Sequence, residues 1–164
     1  MTDLRTQGSL INALELIGQT HGYAIHKRKK DPSHDPDLKK FLPDLIAQPH
    51  KGKGKLVFEV ETTVSNNTIF KSLLSLLTAL SSGGCTQAYL VVPESGVKFT
   101  EQCLESTKLV IKRFGKKALG AYPKIHLEIL SAKAVTEHNA KAKTYARNGR
   151  IGQPPKCPFM PRRK

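Results

Sequence analysis

Apolar and polar residues alternate most clearly over residues 56–63, and this alternation predicts a short strand. Phe58 and Val60 point to one face of that strand, whereas Glu59 and Glu61 point to the other. A second short apolar run begins directly after Asp44 and predicts the strand before it. The two runs are joined by a basic, glycine-containing segment, which is typical of a hairpin connection.

Helical periodicity accounts for most of the remaining apolar residues. The first predicted helix follows Ser9, whose hydroxyl is suited to cap it, and ends before Gly22. In the second predicted helix, Lys71 and Ser75 belong to the polar side and the apolar face is broad. The predicted order is helix, strand, strand, strand, helix, strand, helix and strand, over residues 10–20, 23–25, 44–47, 56–63, 68–80, 87–93, 101–114 and 124–130.

This order predicts an α/β domain, because strands and helices alternate over its second half. The continuous apolar run over residues 87–92 suits a strand covered on both faces. The composition changes after residue 131. We expect residues 132–164 to form an extension, with a polar helix over residues 133–147 and a flexible basic tail that has little to bury.

The pair of carboxylates on one strand face is the first sign of chemistry. Glu59 and Glu61 would repel each other unless a cation or a bound proton relieves them, so a divalent-metal site is one interpretation. A solvent-facing strand with scattered charge is the other interpretation. Asp44 favours the metal, because it follows a proline and opens the preceding apolar run.

In these residues the chain resembles the PD-(D/E)xK nuclease superfamily, which has the restriction-endonuclease-like fold and includes archaeal-type Holliday junction resolvases. The resemblance covers residues 9–130 and implies a mixed central sheet flanked by helices, with residues 1–131 as the nuclease-like domain. Asp44 matches the Asp of the family motif, and Glu59 matches its first acidic position. Glu61 stands where the family usually has Lys, as Glu does in some restriction enzymes of the family.

The resemblance implies a metal site that holds magnesium, with manganese as a substitute, against a scissile phosphate. Asp44 and Glu59 would be its carboxylate ligands, and the carbonyl of Val60 a further ligand. Related nucleases often place another acidic residue on the preceding helix, and Glu15 matches that position. An exposed helical glutamate is the alternative interpretation of Glu15.

The resemblance also implies two further catalytic residues. Glu61 would orient or deprotonate the attacking water, or act as an additional ligand. Lys71 would supply, from the following helix, the positive charge that the missing lysine provides elsewhere in the family. A solvated surface lysine is the alternative interpretation of Lys71.

The charge of the chain indicates a nucleic-acid partner independently of the motif. Its 27 Lys and Arg residues against 13 Asp and Glu give a net charge of +14, which favours binding to a polyanion through counterion release. Two basic segments beside the predicted strands are candidates for phosphate contacts, with bland solvated loops as the alternative. Their candidate residues are Lys27, Arg28, Lys29, Lys30, Lys51, Lys53 and Lys55.

Several other classes of protein are disfavoured. The three cysteines have neither disulfide-framework nor zinc spacing, and the glycine-containing loop lacks the Walker spacing that nucleotide hydrolysis requires. No apolar run is long enough to cross a bilayer, and the polar N-terminal segment does not resemble a signal peptide. We therefore expect a cytoplasmic protein with no membrane partner.

The sequence as a whole predicts a metal-dependent endonuclease acting on DNA. Two alternatives keep the fold: a catalytically silent nucleic-acid-binding module, and a nuclease subunit of a larger restriction, transposition or defence complex. A third is a small basic RNA-binding protein, which the absence of Trp and the placement of most Phe and Tyr in predicted core runs disfavour. A homodimer also stays open, as do the form of the DNA and any sequence specificity.

Overall fold

The predicted apolar runs form the strands of a single sheet, and amphipathic helices cover both of its faces. The computed structural model describes residues 5–27, 43–51, 54–81, 84–119 and 126–161. The helices are α1 (Gln7–Thr20), α2 (Asn66–Ser81), α3 (Val97–Leu119) and α4 (Ala132–Arg147), with a short 3-10 helix at Glu94–Gly96. The strands are β1 (Tyr23–Lys27), β2 (Leu45–Pro49), β3 (Lys55–Val60), β4 (Cys85–Val92) and β5 (Leu127–Ser131).

Within the described residues the sheet has five strands in the order β1-β2-β3-β4-β5. Strands β1, β2 and β3 pair antiparallel, whereas β3, β4 and β5 pair parallel. The sheet is therefore mixed, and the prediction of an α/β protein with a mixed sheet flanked by helices is confirmed. None of the described helices has the length and apolarity needed to cross a bilayer.

The alternation along β3 divides its side chains between two apolar layers. Phe58 packs in a cluster that includes residues of α1 and α4. Val57 packs in a second cluster, on the other face, with residues of α2 and α3. Glu59 follows the same alternation and lies on the α2 side of the sheet, as predicted.

Helix α1 begins earlier than predicted, because Thr6 and not Ser9 is its N-cap. The Thr6 hydroxyl accepts from the Ser9 N–H at 3.1 Å, and the Ser9 hydroxyl accepts from the Thr6 N–H at 3.2 Å. Ser9 thus fills the third helical position of a reciprocal capping box. As a result Gln7 belongs to the first turn of the helix.

Helix α2 buries a face that only partly coincides with the one predicted: Leu73 is buried as expected, but the face is shifted toward two serines. Phe70 and Leu74 are 48% and 57% exposed, whereas Ser72 and Ser75 are buried against the sheet. The apolar residues cover about half of the helix circumference, which is too broad an arc for their pattern alone to specify which part of it packs. The two serines face inward because each binds a carboxylate of β3 or of the residue after it.

The expectation of a flexible C-terminal tail with little to bury is wrong for residues 155–161. Cys157, Phe159 and Met160 lie in the same apolar cluster as α1 and α4. The Tyr23 hydroxyl donates a 2.7 Å hydrogen bond to the carbonyl of Pro161, which fixes the segment to β1. The C-terminal extension and the preceding domain therefore share one core.

Glycine allows this close approach at α1. A Cβ atom at Gly18 would lie 3.3 Å from the sulfur of Met160 and 2.4 Å from a terminal carbon of Ile25. His21, at the end of the helix, adds a polar contact, with Nε2 2.7 Å from the carbonyl oxygen of Pro155. The C-terminal segment is thus packed against α1 by both apolar and polar contacts.

Candidate active site

The start of β2 and the end of β3 meet at one edge of the sheet, because these strands are antiparallel. Leu45 pairs with Phe58, so Asp44 lies beside the last residues of β3. Asp44 is buried, and its Oδ2 accepts a 2.9 Å hydrogen bond from the N–H of Val60. The turn into β2 and the end of β3 therefore hold the Asp44 carboxylate in place.

Gln7 completes this arrangement from the first turn of α1. Its Nε2 donates to Oδ2 of Asp44 at 3.0 Å and to the carbonyl oxygen of Val60 at 3.1 Å. Two oxygens expected to be metal ligands thus converge on a single atom. The sequence interpretation missed Gln7, although the Thr6-x-x-Ser9 capping box would have identified it as a first-turn residue.

Helix α2 supplies one hydroxyl to each of the two glutamates. Ser75 donates to Oε1 of Glu59 at 2.7 Å, and Ser72 donates to Oε1 of Glu61. Residues two apart on a strand are about 7 Å apart, and residues three apart on a helix are separated by about 5–6 Å. The Ser72–Ser75 spacing therefore matches the Glu59–Glu61 spacing when α2 lies along β3.

Glu61 lies in a distinctive electrostatic environment. Burial raises the pKa of its carboxyl above the ordinary value of 4.5, and the nearby Asp44 carboxylate raises it further. The Ser72 hydrogen bond and the positive charge of Lys71 oppose this shift of the pKa. Asp44 and Lys71 are thus each within electrostatic reach of Glu61, as expected if the three serve one site.

Three carboxylates do not by themselves form a closed metal cage here. Among the described residues, no group of three or more His, Cys, Asp or Glu side chains is arranged to hold a metal ion. Magnesium, however, is usually bound by one or two carboxylates and keeps several waters. The Asp44 carboxylate and the Val60 carbonyl, which meet at Gln7, are oxygen ligands of the kind that such an ion prefers, and Glu59 carries a further carboxylate on the adjacent residue.

The remaining predicted metal residue, Glu15, lies elsewhere on α1. Its carboxylate forms an ion pair with Lys27 of β1. Glu15 is eight residues beyond Gln7, so it lies about 12 Å further along the helix axis. The ion pair also engages Lys27, one of the residues predicted to contact nucleic acid.

The other basic residues fall into two groups. Lys51 is exposed after β2, and Lys55 is half-buried at the start of β3. Both lie at the opposite edge of the sheet from Asp44, because β3 extends about 17 Å between Lys55 and Val60. Arg28, Lys29, Lys30 and Lys53 lie outside the described residues.

A cavity of about 620 Å³ adjoins Glu61 at the carboxyl ends of β3, β4 and β5. Its wall is formed by the segments that follow these three strands, together with the start of α1. The lining residues are Arg5, Leu10, Glu61, Thr62, Pro93, Glu94, Ser95, Ala132, Lys133, Thr136 and Glu137. Ligands of open α/β sheets bind at this end of parallel strands.

No family model matches the chain, and no curated protein or solved structure matches it significantly. What the site can do therefore follows from the chemistry of its own residues. It combines a positioned carboxylate and carbonyl, two serine-bound glutamates and a lysine beside an open cavity.

Proposed function

We propose that this chain is a metal-dependent DNA endonuclease with a restriction-endonuclease-like fold, related to the PD-(D/E)xK nucleases. The observation that carries the proposal is the convergence of Asp44 Oδ2 and the Val60 carbonyl oxygen on one atom, the Nε2 of Gln7. An amide N–H carries partial positive charge, so this atom occupies a position that also suits a cation. Glu59 and Glu61 face α2, and the Asp44 carboxylate is within electrostatic reach of Glu61.

The topology supports the same proposal. An antiparallel β1-β2-β3 unit follows α1, and α2 then connects β3 to the parallel strand β4. This is the order of elements that the resemblance implies for the nuclease core. The net charge of +14 also favours a polyanionic substrate.

In this mechanism Asp44, Glu59 and the carbonyl of Val60 would hold magnesium. The ion would polarise the scissile phosphate and lower the pKa of a bound water. For these ligands to turn toward a cation, the Gln7 amide group must rotate or move aside, because its N–H groups repel positive charge. Ser75 keeps Glu59 oriented through its hydrogen bond.

Glu61 would accept the proton of the attacking water at a carboxylate oxygen. Burial raises the pKa of Glu61, and a higher pKa makes a carboxylate a better proton acceptor. The Ser72 hydroxyl donates a hydrogen bond to Oε1 of this carboxylate. Lys71 would offset the negative charge of the phosphate. The chain thus distributes the family's lysine role between a glutamate base and a lysine on α2.

The test is cleavage of supercoiled plasmid, linear duplex and a four-way junction, each with magnesium and with manganese. Asp44→Asn and Glu59→Gln keep the shape of the side chain but remove its charge, and each should lower the cleavage rate by at least about a hundredfold. Glu101→Gln, on the exposed side of α3, is the matched control and should cut at the wild-type rate. Wild-type cleavage by both site variants would overturn the proposal.

Two observations favour a second function, a nucleic-acid-binding module without cleavage. Gln7 presents an amide donor to Asp44 and Val60, which stabilises the site without any ion, and Glu61 replaces the lysine usual in the family. Wild-type DNA binding with no cleavage in either metal would select this function. Cleavage that appears only with a specific partner protein would instead identify a subunit of a larger complex.

A further inference from the structure

The cavity beside Glu61 has features that metal binding does not explain. It lies where the chain leaves the three parallel strands, and its volume of about 620 Å³ is within the usual range for small-ligand sites. Glu61 belongs both to its wall and to the carboxylate site. A molecule bound in the cavity would therefore lie directly beside the proposed cleavage centre.

The lining has an apolar part and a polar part. Leu10, Pro93 and Ala132 supply apolar surface, and Leu10 is itself anchored in the core. Glu94 and Glu137 supply hydrogen-bond acceptors. This combination suits a nucleobase, which has flat apolar faces and a polar edge that often carries an amino group.

Two cationic side chains complete the lining. Arg5 precedes α1, and Lys133 lies in the first turn of α4, whose N-terminus adds partial positive charge. Phosphate groups bind readily to such cations, which fix position without reading sequence. The cavity thus offers surfaces for a base, with cations for the phosphates that flank it.

We propose that this cavity receives an unpaired nucleoside adjoining the phosphate that is cleaved. This inference rests on the proposed function and specifies its substrate class. A base stacked in an intact duplex cannot enter a concave pocket, so entry requires a nucleotide that is unpaired or displaced from the stack. The preferred substrate is therefore DNA with an unpaired nucleotide at the cleavage position, not a continuous duplex.

The test compares binding of a labelled duplex with that of the same duplex carrying one unpaired nucleotide, by fluorescence anisotropy in EDTA. The wild-type protein should bind the second DNA at least about tenfold more tightly, because a base that stacks or packs in a pocket contributes at this level. Ser95→Trp and Thr62→Trp place a bulky side chain at two sides of the cavity and should abolish the preference. Both positions are exposed, so the fold should tolerate either change.

Ser106→Trp, at an exposed position of α3 that does not line the cavity, is the matched control and should keep the preference. Equal affinity of the wild-type protein for both DNAs, no binding to either, or an unchanged preference in both cavity variants would overturn the inference. Cleavage is measured separately with magnesium. A binding preference without cleavage would uphold the cavity and refute the nuclease, whereas cleavage without a preference would do the reverse.

Discussion

Several parts of the site affect the pKa of a single carboxyl group, that of Glu61. Burial and Asp44 favour its protonated form, whereas Ser72 and Lys71 favour its charged form. The net result is a raised pKa. A carboxylate with a raised pKa destabilises the folded state once it ionises, because the unfolded chain gives up the same proton more readily.

The difference between the pKa of Glu61 in the folded state and in the unfolded state predicts how stability depends on pH. Well below pH 4.5 the Glu61 carboxyl is largely protonated in both states and contributes little. As the pH rises, the unfolded state loses its proton first, so the folded state binds more protons and the free energy of unfolding falls. Glu61→Gln removes this loss, so the variant should gain stability relative to wild type as the pH rises from 4.5 through the raised pKa.

Urea denaturation of both proteins at a series of pH values on either side of 4.5 measures this difference. Ser72→Ala serves as the comparison, because it removes the hydrogen bond that lowers the pKa of Glu61. It should extend the loss of stability to higher pH than in wild type. A difference between Glu61→Gln and wild type that does not vary with pH would contradict the prediction.

At this scale the sequence predicted some positions well and others not at all. Phe58 and Glu59 lie on opposite faces of β3, as predicted, because side chains alternate along a strand. This alternation is a local property of the backbone. Gln7 could not be inferred from alternation, because its role depends on contacts with Asp44 and Val60 that are distant in sequence. Single polar residues of this kind carry no periodic signal.

Helix α1 is the element that brings Gln7 to the sheet edge. Its capping box fixes where the helix starts, and its buried side, which includes Leu14 and Ile17, fixes how the helix lies on the sheet. Together these features place the first turn of α1 beside Asp44. A carboxylate in place of the Gln7 amide would therefore add a metal ligand at this position.

We expect Gln7→Glu to bind magnesium or manganese about tenfold more tightly than wild type, because affinity rises with the number of charged oxygen ligands. Without metal the variant should be less stable than wild type, since a carboxylate would face Asp44 and lose the two amide hydrogen bonds. Isothermal titration calorimetry and thermal unfolding with and without the ion measure both effects.

Gln19→Glu, at an exposed position near the other end of α1, is the matched control and should leave metal affinity unchanged. If Gln7→Glu binds metal no better than this control, the convergence of Asp44 and Val60 oxygens on Gln7 does not mark a cation site.

The limits of element prediction are clear in α2. The sequence located this helix within two residues at its start and one at its end, because an apolar run between polar clusters defines a helix well. It identified only part of the buried side, because Phe70 and Leu74 are as apolar as the residues that pack inward. The residues that decide it, Glu59 in β3 and Glu61 just after β3, lie outside the helix.

At the scale of the whole molecule, residues 155–161 help to close the core that α1 and α4 share. Phe159 is buried, and its ring lies edge-on to Tyr89 of β4 and to His138 of α4. The sequence did not indicate this, because Cys157, Phe159 and Met160 occur among prolines and basic residues without helical or strand periodicity. Their burial results from tertiary packing alone.

Phe159→Ala should lower the free energy of unfolding by about 3–5 kcal/mol, which is the usual cost of removing a buried phenyl ring. Ile151→Ala, just before this segment and 84% exposed, should change it by less than about 0.5 kcal/mol. Chemical denaturation of both variants against wild type makes the comparison. Similar small effects for both would mean that the segment does not contribute to the core in solution.

Contacts between α1 or β1 and residues 155–161 join parts of the chain that are far apart in sequence. The hydrogen bonds from Tyr23 to Pro161 and between His21 and Pro155 span 138 and 134 residues. Such contacts raise the contact order, and the entropy of closing so large a loop slows folding relative to a chain with local contacts. Docking of residues 155–161 is therefore expected late in folding, so the core that α1 and α4 share is completed only after residues 155–161 have been synthesised.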